Sequence, residues 1–155
     1  MNAKTQLSLF GQVSELKISY NPKTRPSDRP SVSTSRQAWD IFFKKWEEPA
    51  YFESFKVMTL NRANKVLGVA LISRGGLAGT IADPKIILQY ALLSNASSII
   101  LAHNHPSGNM TPSEADRKLT RKIKEACIAM DIACLDHVIL CSEEKYYSFA
   151  DEGIM

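Results

Sequence analysis

The sequence predicts an α/β (α+β) fold in which helices pack against a mixed β-sheet. Three observations predict it: two strand patterns around a polar turn at 55–73, helical and strand patterns that alternate over 83–141, and a short hairpin near residue 145. Helices that alternate with strands cover the faces of a sheet, so this order favours a sheet packed between helices. The 155 residues show no internal repeat and have the size of one domain.

Residues 1–34 differ in composition from residues 35–155, which we predict to form one folded domain. Over 12–20, Leu16, Ile18 and Tyr20 alternate with polar residues, which predicts an N-terminal edge strand. The next fifteen residues hold three prolines among serine, threonine and arginine, a composition typical of an extended segment. We expect residues 1–34 either to lie over the domain or to dock a partner.

Start signals locate the helices. Ser35 is the predicted N-cap of a helix over 35–48, and Asp83 caps a second one that runs to about residue 95. Thr111 is the predicted N-cap of the third helix, with Glu114 completing a capping box, and this helix continues to about residue 130. The intervening apolar runs predict strands at 55–60, 66–73, 98–102, 132–141 and 146–149.

Composition narrows the class of protein. Hydrophobic residues make up 45% and charged residues 23%, which is typical of soluble globular proteins. No apolar run reaches the roughly 18 residues that span a bilayer, and residues 1–10 lack the apolar core of a secretory signal. An odd number of cysteines, three, fits a reducing compartment, so we expect a cytoplasmic protein without a membrane segment. A net charge of +3 is too small to indicate nucleic-acid binding by itself.

The candidate metal-binding and catalytic residues cluster within residues 103–116. His103 and His105 lie two residues apart where a strand ends, so their side chains point the same way if the chain is still extended. Ser113 and Asp116 are three residues apart at the start of a helix and therefore share a face. Two imidazoles and one carboxylate are the ligands of a catalytic zinc that keeps a position for water, and the same set can hold iron.

Zinc chemistry of this kind needs further groups. Zinc-bound water ionises near neutral pH, and the reaction then requires a general base and a donor to the developing oxyanion. Ser113 is placed to be that donor. Each residue also has a simpler interpretation, as a helix-start serine, an acid at the positive end of a helix, or a polar loop histidine. The occurrence of His103, His105, Ser113 and Asp116 together, at this spacing around one turn, favours the metal site.

Two further features remain open between structural and functional interpretations. His137 lies in the middle of a predicted strand and is either a buried sheet histidine, which we favour, or another metal ligand. Five basic residues follow the motif on one helix, where they form a solvated face or contact phosphates: Arg117, Lys118, Arg121, Lys122 and Lys124.

The spacing His-x-His-Pro, six residues, Ser, two residues, Asp resembles the JAMM signature of JAB/MPN metallopeptidases. The segments ILAHNHPSGNMTPSEAD at 100–116, LDHVIL at 135–140 and YYSFADEG at 146–153 resemble the RadC-like branch of that family, over about residues 33–153. The resemblance implies a mixed sheet between helices, similar to the cytidine deaminase fold. It also implies one zinc per chain, held by His103, His105 and Asp116.

The resemblance further implies the catalytic roles. Ser113 takes the oxyanion-stabilising role, and Glu53 in FESFKVMTLN matches the family's upstream catalytic glutamate, the general base. Taken alone, Glu53 is one acid among 16. Longer RadC-like proteins have an N-terminal helical part with a helix-hairpin-helix. Residues 1–34 show no pattern of such helices, so we do not expect this chain to have a DNA role that depends on them.

Three functions are compatible with the sequence. The first is a zinc metallopeptidase or isopeptidase that acts on a peptide or protein substrate. The second is a DNA-repair-associated binding module with a non-catalytic zinc, whose affinity for nucleic acid should depend on salt. The third is hydrolysis of a nucleotide or nucleic-acid bond, although the Cys-x-x-Cys ligands of deaminases are absent. The oligomeric state does not follow from the sequence.

Overall fold

The computed structural model describes residue 17 and residues 19–75 and 82–155. These residues form five strands, β1 (Ser54–Leu60), β2 (Val66–Arg74), β3 (Ser98–Asn104), β4 (Ala133–Leu140) and β5 (Tyr146–Ser148). They form three α-helices, α1 (Ser35–Lys44), α2 (Pro84–Leu93) and α3 (Glu114–Ile128), and a short 3-10 turn at Pro26–Asp28. The strands make one mixed sheet in the order β2-β1-β3-β4-β5, which confirms the predicted fold class.

Strand pairing determines which ends of the elements meet. β1 is antiparallel to β2 and to β3, and Phe55 near the start of β1 pairs with His103 near the end of β3. β3 and β4 are parallel, so the chain must cross back between them, and α3 makes this crossover. The start of β1, the end of β3 and the start of α3 therefore lie at one edge of the sheet.

The sheet separates two apolar cores. On β3, Ile100 and Ala102 face α1 and pack with Phe42. Ile99 and Leu101 face the opposite side, where α2 and α3 supply the other partners, Ile87, Ala91, Ile123 and Cys127. This alternation follows from the two-residue period of a strand, and it places the side chain of His103 on the α2 and α3 side.

The helix starts differ from the prediction at two places. α1 is capped by Thr34, whose side chain accepts from the amide of Gln37, rather than by Ser35. α3 is capped by Ser113, which forms the capping box with Asp116, so the predicted Thr111 cap was wrong. Thr111 with Glu114 and Ser113 with Asp116 both have the sequence pattern of a capping box. The amide of Thr111, however, donates to the side chain of Asn109 in the preceding turn.

The helix ends also differ from the prediction. α1 ends at Lys44 instead of about residue 48, and Trp46 is buried just beyond it. Glu48 has a positive φ of 50°, a conformation that no α-helix contains. Asp83 caps α2 as predicted, and this helix ends at Leu93.

The described part of the N-terminal segment packs against β2. Ser31 bridges Lys65, and Val32 is buried in the core on the α1 side. The predicted strand at 12–20 lies mostly outside the described residues, and the boundary at residue 34 remains a prediction. Within the described ranges, no helix has the length and apolar character that a membrane span requires.

Phe42 should contribute strongly to stability, because its side chain is fully buried between α1 and the sheet. We expect Phe42→Ala to lower the free energy of unfolding by roughly 3–5 kcal/mol, measured by denaturant titration. Tyr51→Ala is the matched control, because Tyr51 is 70% exposed and should change stability by less than about 0.5 kcal/mol. Equal effects of the two substitutions would contradict the described packing.

Candidate metal centre

Three side chains converge where β3 ends and α3 begins. The Nε2 atoms of His103 and His105 lie 2.9 Å apart, and His103 Nε2 lies 3.4 Å from Asp116 Oδ1. His105 Nε2 lies 3.8 Å from Asp116 Oδ2. The three candidate ligand atoms all fall within 4.8 Å of one another, so the structure brings together the residues that the sequence predicted as ligands.

A tight turn returns the chain from β3 towards α3. The His105 amide donates to Leu140 O, which continues the parallel pairing, and the Gly108 amide donates to His105 O at 3.0 Å. Gly108 has a φ of 76°, which glycine adopts without the steric cost that other residues incur. The His105 ring donates from Nδ1 to Asn109 O, because a carbonyl only accepts. Neutral His105 therefore has its lone pair on Nε2, on the side of the cluster.

The capping box of α3 orients the carboxylate. Asp116 Oδ2 accepts from the Ser113 amide at 2.7 Å and from the Ser113 hydroxyl at 2.6 Å. The Asp116 amide in turn donates to Ser113 Oγ at 3.1 Å. The positive end of the helix favours this negative charge. Ser113, the predicted oxyanion donor, thus lies directly beside a candidate ligand, and its catalytic role remains a prediction.

Glu53 immediately precedes β1 and is half-buried. The pairing of Phe55 with His103, continued by two residues, places Glu53 opposite His105 at the same edge of the sheet. The amide of Gly75 donates to Glu53 O at 2.8 Å, which extends the pairing of β1 with β2 to this residue. The backbone position fits the predicted general base, whose role remains a prediction.

Asn104 holds the segment before β1 in place, and sequence analysis missed it. Its Oδ1 accepts from the Ser54 amide at 2.7 Å, and its Nδ2 donates to Pro49 O and Phe52 O at 2.7 and 2.8 Å. The side chain is fully buried and all three bonds are to backbone groups. The available signal was its position between the two histidines, where a buried amide must find such partners.

His137 is buried in the sheet, as the favoured interpretation predicted. Its Nε2 lies 2.8 Å from His103 Nδ1, on the side of the His103 ring away from the cluster. Its ring stacks against Phe149, and His103 stacks against Phe55. His137 thus contacts a candidate ligand and is not a member of the ligand group itself.

Burial keeps His103, on β3, and His137, on β4, neutral. Burial lowers the pKa of His103 to about 4, with Asp116 opposing and His105 reinforcing the shift. Burial also lowers the pKa of His137 well below its usual value, and the neighbouring His103 and His105 add to this effect. A histidine must be neutral to bind a metal, so His103 is ready to do so at neutral pH.

The donor set and its exposure fit a catalytic metal site. Two imidazole nitrogens and one carboxylate oxygen suit zinc or iron(II). The side chain of His103 is 1% exposed, whereas those of His105 and Asp116 are each 16% exposed. His103 is therefore enclosed by the sheet, whereas His105 and Asp116 are partly accessible to solvent.

The remaining predicted residues lie outside this cluster. Among the basic residues of α3, Arg121 pairs with Glu114 at 3.4 Å, and both side chains are exposed. The three cysteines are free thiols, and Cys127 and Cys141 are buried. Tyr146 stacks on Trp39.

Comparisons with known proteins identify the family of the chain. The sequence pattern of the RadC-like JAB domain matches residues 32–154. The chain belongs to the RadC-like JAB family. This RadC-like JAB domain is 50% identical over 102 residues to a UPF0758 protein of Flavobacterium johnsoniae, covering 66% of the chain and 44% of the relative. It is 37% identical over 134 residues to a UPF0758 protein of Porphyromonas gingivalis, covering 86% of the chain and 59% of the relative. The chain thus matches less than two thirds of the length of these relatives.

Protonation should destabilise the metal-free domain as the pH falls. His103 and His137 have folded-state pKa values below the unfolded value of 6.5, so below that pH the unfolded chain binds more protons than the folded chain. Their contribution to stability is present above pH 6.5 and is lost as the pH decreases. Each group should contribute a slope that approaches about 1.4 kcal/mol per pH unit.

The measurement is urea unfolding of chelator-treated protein between pH 7 and pH 5, for the wild type and His137→Gln. The variant should lose stability less steeply than the wild type on acidification. Parallel curves would contradict a neutral, buried His137.

Proposed function

We propose that this RadC-like JAB domain is a zinc-dependent hydrolase, a metallopeptidase or isopeptidase, with one zinc held by His103, His105 and Asp116. The convergence of these three side chains where β3 ends and α3 begins is the observation that carries the proposal. Membership of the RadC-like JAB family supports it, because a JAMM-type site is what the motif implies. The three free cysteines support a reducing, cytoplasmic compartment.

Bound zinc supplies a water molecule that ionises near neutral pH. Glu53, at the start of β1, takes a proton from the attacking water and passes it to the leaving amine. Ser113 turns its hydroxyl from Asp116 towards the carbonyl oxygen of the substrate and stabilises the negative charge that develops there. Asn104 keeps the Glu53 segment against β3, so that the base and the ligands share one edge of the sheet.

A peptide or protein substrate is part of this proposal, because the motif over 103–116 resembles the signature of metallopeptidases. The alternative function, a DNA-repair-associated binding module with a non-catalytic zinc, rests on the basic residues of α3, of which Lys118, Arg121 and Lys122 are exposed. That alternative predicts a salt-dependent affinity for DNA and no dependence on Glu53.

Substitutions should separate metal binding from turnover. We expect Glu53→Gln to retain about one zinc per chain and to lose at least about 100-fold in hydrolysis, the range that a general base supplies. His105→Ala should lose both zinc and hydrolysis. Metal content is measured by elemental analysis, and hydrolysis with a library of fluorescence-quenched peptides and lysine-branched isopeptides.

Glu47→Gln is the matched control, because Glu47 is an exposed glutamate on the same segment. It should behave as the wild type in both assays. Full hydrolysis by Glu53→Gln would show that another group is the base. A metal-replete protein that hydrolyses nothing but binds DNA in a salt-dependent manner would favour the binding module.

A further inference from the structure

A chain of buried hydrogen bonds joins two of the candidate ligands behind the metal site. His103 Nδ1 lies 2.8 Å from His137 Nε2, and His137 Nδ1 lies 2.7 Å from Thr120 Oγ1. Thr120 Oγ1 then donates to Asp116 O at 2.7 Å. His103, His137 and Thr120 are each no more than 2% exposed. The proposed reaction assigns no role to His137 or to Thr120.

The direction of these hydrogen bonds follows from the proton of Thr120. A threonine hydroxyl has one proton, and a backbone carbonyl only accepts, so the proton of Thr120 is used in the bond to Asp116 O. Thr120 Oγ1 must therefore accept from the His137 ring. This places the His137 hydrogen on Nδ1 and leaves the lone pair of that ring on Nε2.

The same reasoning sets the state of His103. Because His137 Nε2 accepts, His103 donates to it from Nδ1. A neutral His103 then has its lone pair on Nε2, the atom that lies 3.4 Å from Asp116 Oδ1. The opposite direction would put a hydrogen on His103 Nε2, where it would block coordination of a metal.

Thr120 also links two separate elements. It lies one helical turn after Asp116 on α3, and its hydroxyl bonds the backbone of that ligand residue. Through His137 on β4, the same hydroxyl reaches the ring of His103 on β3. The ligand from the sheet and the ligand from the helix therefore share one hydrogen-bonded support.

We propose that Thr120 and His137 are positioning residues that fix the tautomer and ring orientation of His103 and hold it in register with Asp116. This inference rests on the proposed metal site and explains how the chain prepares that site for a metal. It adds two residues, from α3 and β4, that contact no substrate and no reacting atom. Substitution of a residue that hydrogen-bonds a metal ligand typically lowers metal affinity by about 10–100-fold.

The test compares Thr120→Val with Thr120→Ser. Valine has nearly the shape of threonine but no hydroxyl, whereas serine restores the hydroxyl. We expect Thr120→Val to bind Zn²⁺ about 10–100-fold more weakly in competition with a chromophoric chelator, and Thr120→Ser to bind within a few-fold of the wild type. The Co²⁺-loaded Thr120→Val protein should also show a shifted visible absorption spectrum, which reports the geometry at the metal.

Thr59→Val is the matched control for a buried hydroxyl. Thr59, on β1, is 4% exposed. Its hydroxyl makes a long contact of 3.5 Å with Gly68 O on β2, and β2 lies on the opposite side of β1 from β3. Thr59→Val should bind Zn²⁺ as the wild type does. Denaturant unfolding of every variant confirms that differences in affinity come from folded protein.

A second readout needs no metal. In chelator-treated wild type at pH 7, nitrogen chemical shifts of ¹⁵N-histidine should show the proton on Nδ1 of both His103 and His137. In Thr120→Val these two rings should become a mixture of tautomers. Protons on Nε2 in the wild type, or equal Zn²⁺ affinities of Thr120→Val and wild type, would overturn the inference. Absence of Zn²⁺ binding by the wild type would instead overturn the proposed function. The tautomer measurement would still decide whether Thr120 and His137 set the state of His103.

Discussion

The parallel pairing of β3 with β4 is the constraint on which the rest of the site depends. Parallel neighbours require a crossover, so the chain that leaves the end of β3 must return along the face of the sheet as α3. The start of α3 therefore lies beside the end of β3. His103 and His105 come from the strand end, and Asp116 comes from the first turn of the helix, so the topology brings the three side chains together.

Local chemistry converts this proximity into a defined geometry. The positive φ of Gly108 allows the turn, and the capping box of Ser113 and Asp116 fixes the carboxylate at the helix start. Burying histidines and an asparagine is unfavourable unless every polar atom finds a partner. Asn104 has all three of its bonds, and His137 uses both ring nitrogens. The bond to His137 and the stacking on Phe55 restrict rotation of the His103 ring.

The sequence predicted that His103, His105 and Asp116 lie together, as they do in the structure, because their spacing suits a strand end followed by a helix start. It also predicted the mixed sheet, since strand and helix patterns alternate clearly. It wrongly placed the cap of α3 at Thr111, because Thr111 and Ser113 both begin an acceptable capping box and the preceding Asx turn at Asn109 decides in favour of Ser113. Trp46 shows the same limit, since its apolar character continues the helical pattern beyond the point where α1 ends.

The supporting residues were harder to foresee, because their contacts depend on strand register. The pairing of β3 with β4 shifts between Ile99 and Ile100, and only this shifted register brings His137 behind His103. Thr120 is one of several polar residues on α3, and nothing in its spacing distinguishes it. Glu53 came from the family resemblance, and the pairing of β1 with β3 now gives its backbone position a physical reason.

The most direct test of the proposed metal site is zinc K-edge anomalous diffraction from a crystal of the zinc-loaded protein. We expect one zinc per chain, bonded to His103 Nε2, His105 Nε2 and an Asp116 carboxylate oxygen at about 2.0–2.2 Å, with a water in the fourth position. His137 should remain outside the coordination sphere, bonded to His103 Nδ1. Zinc bound at another place, or coordinated by His137 in place of one of the three ligands, would contradict it.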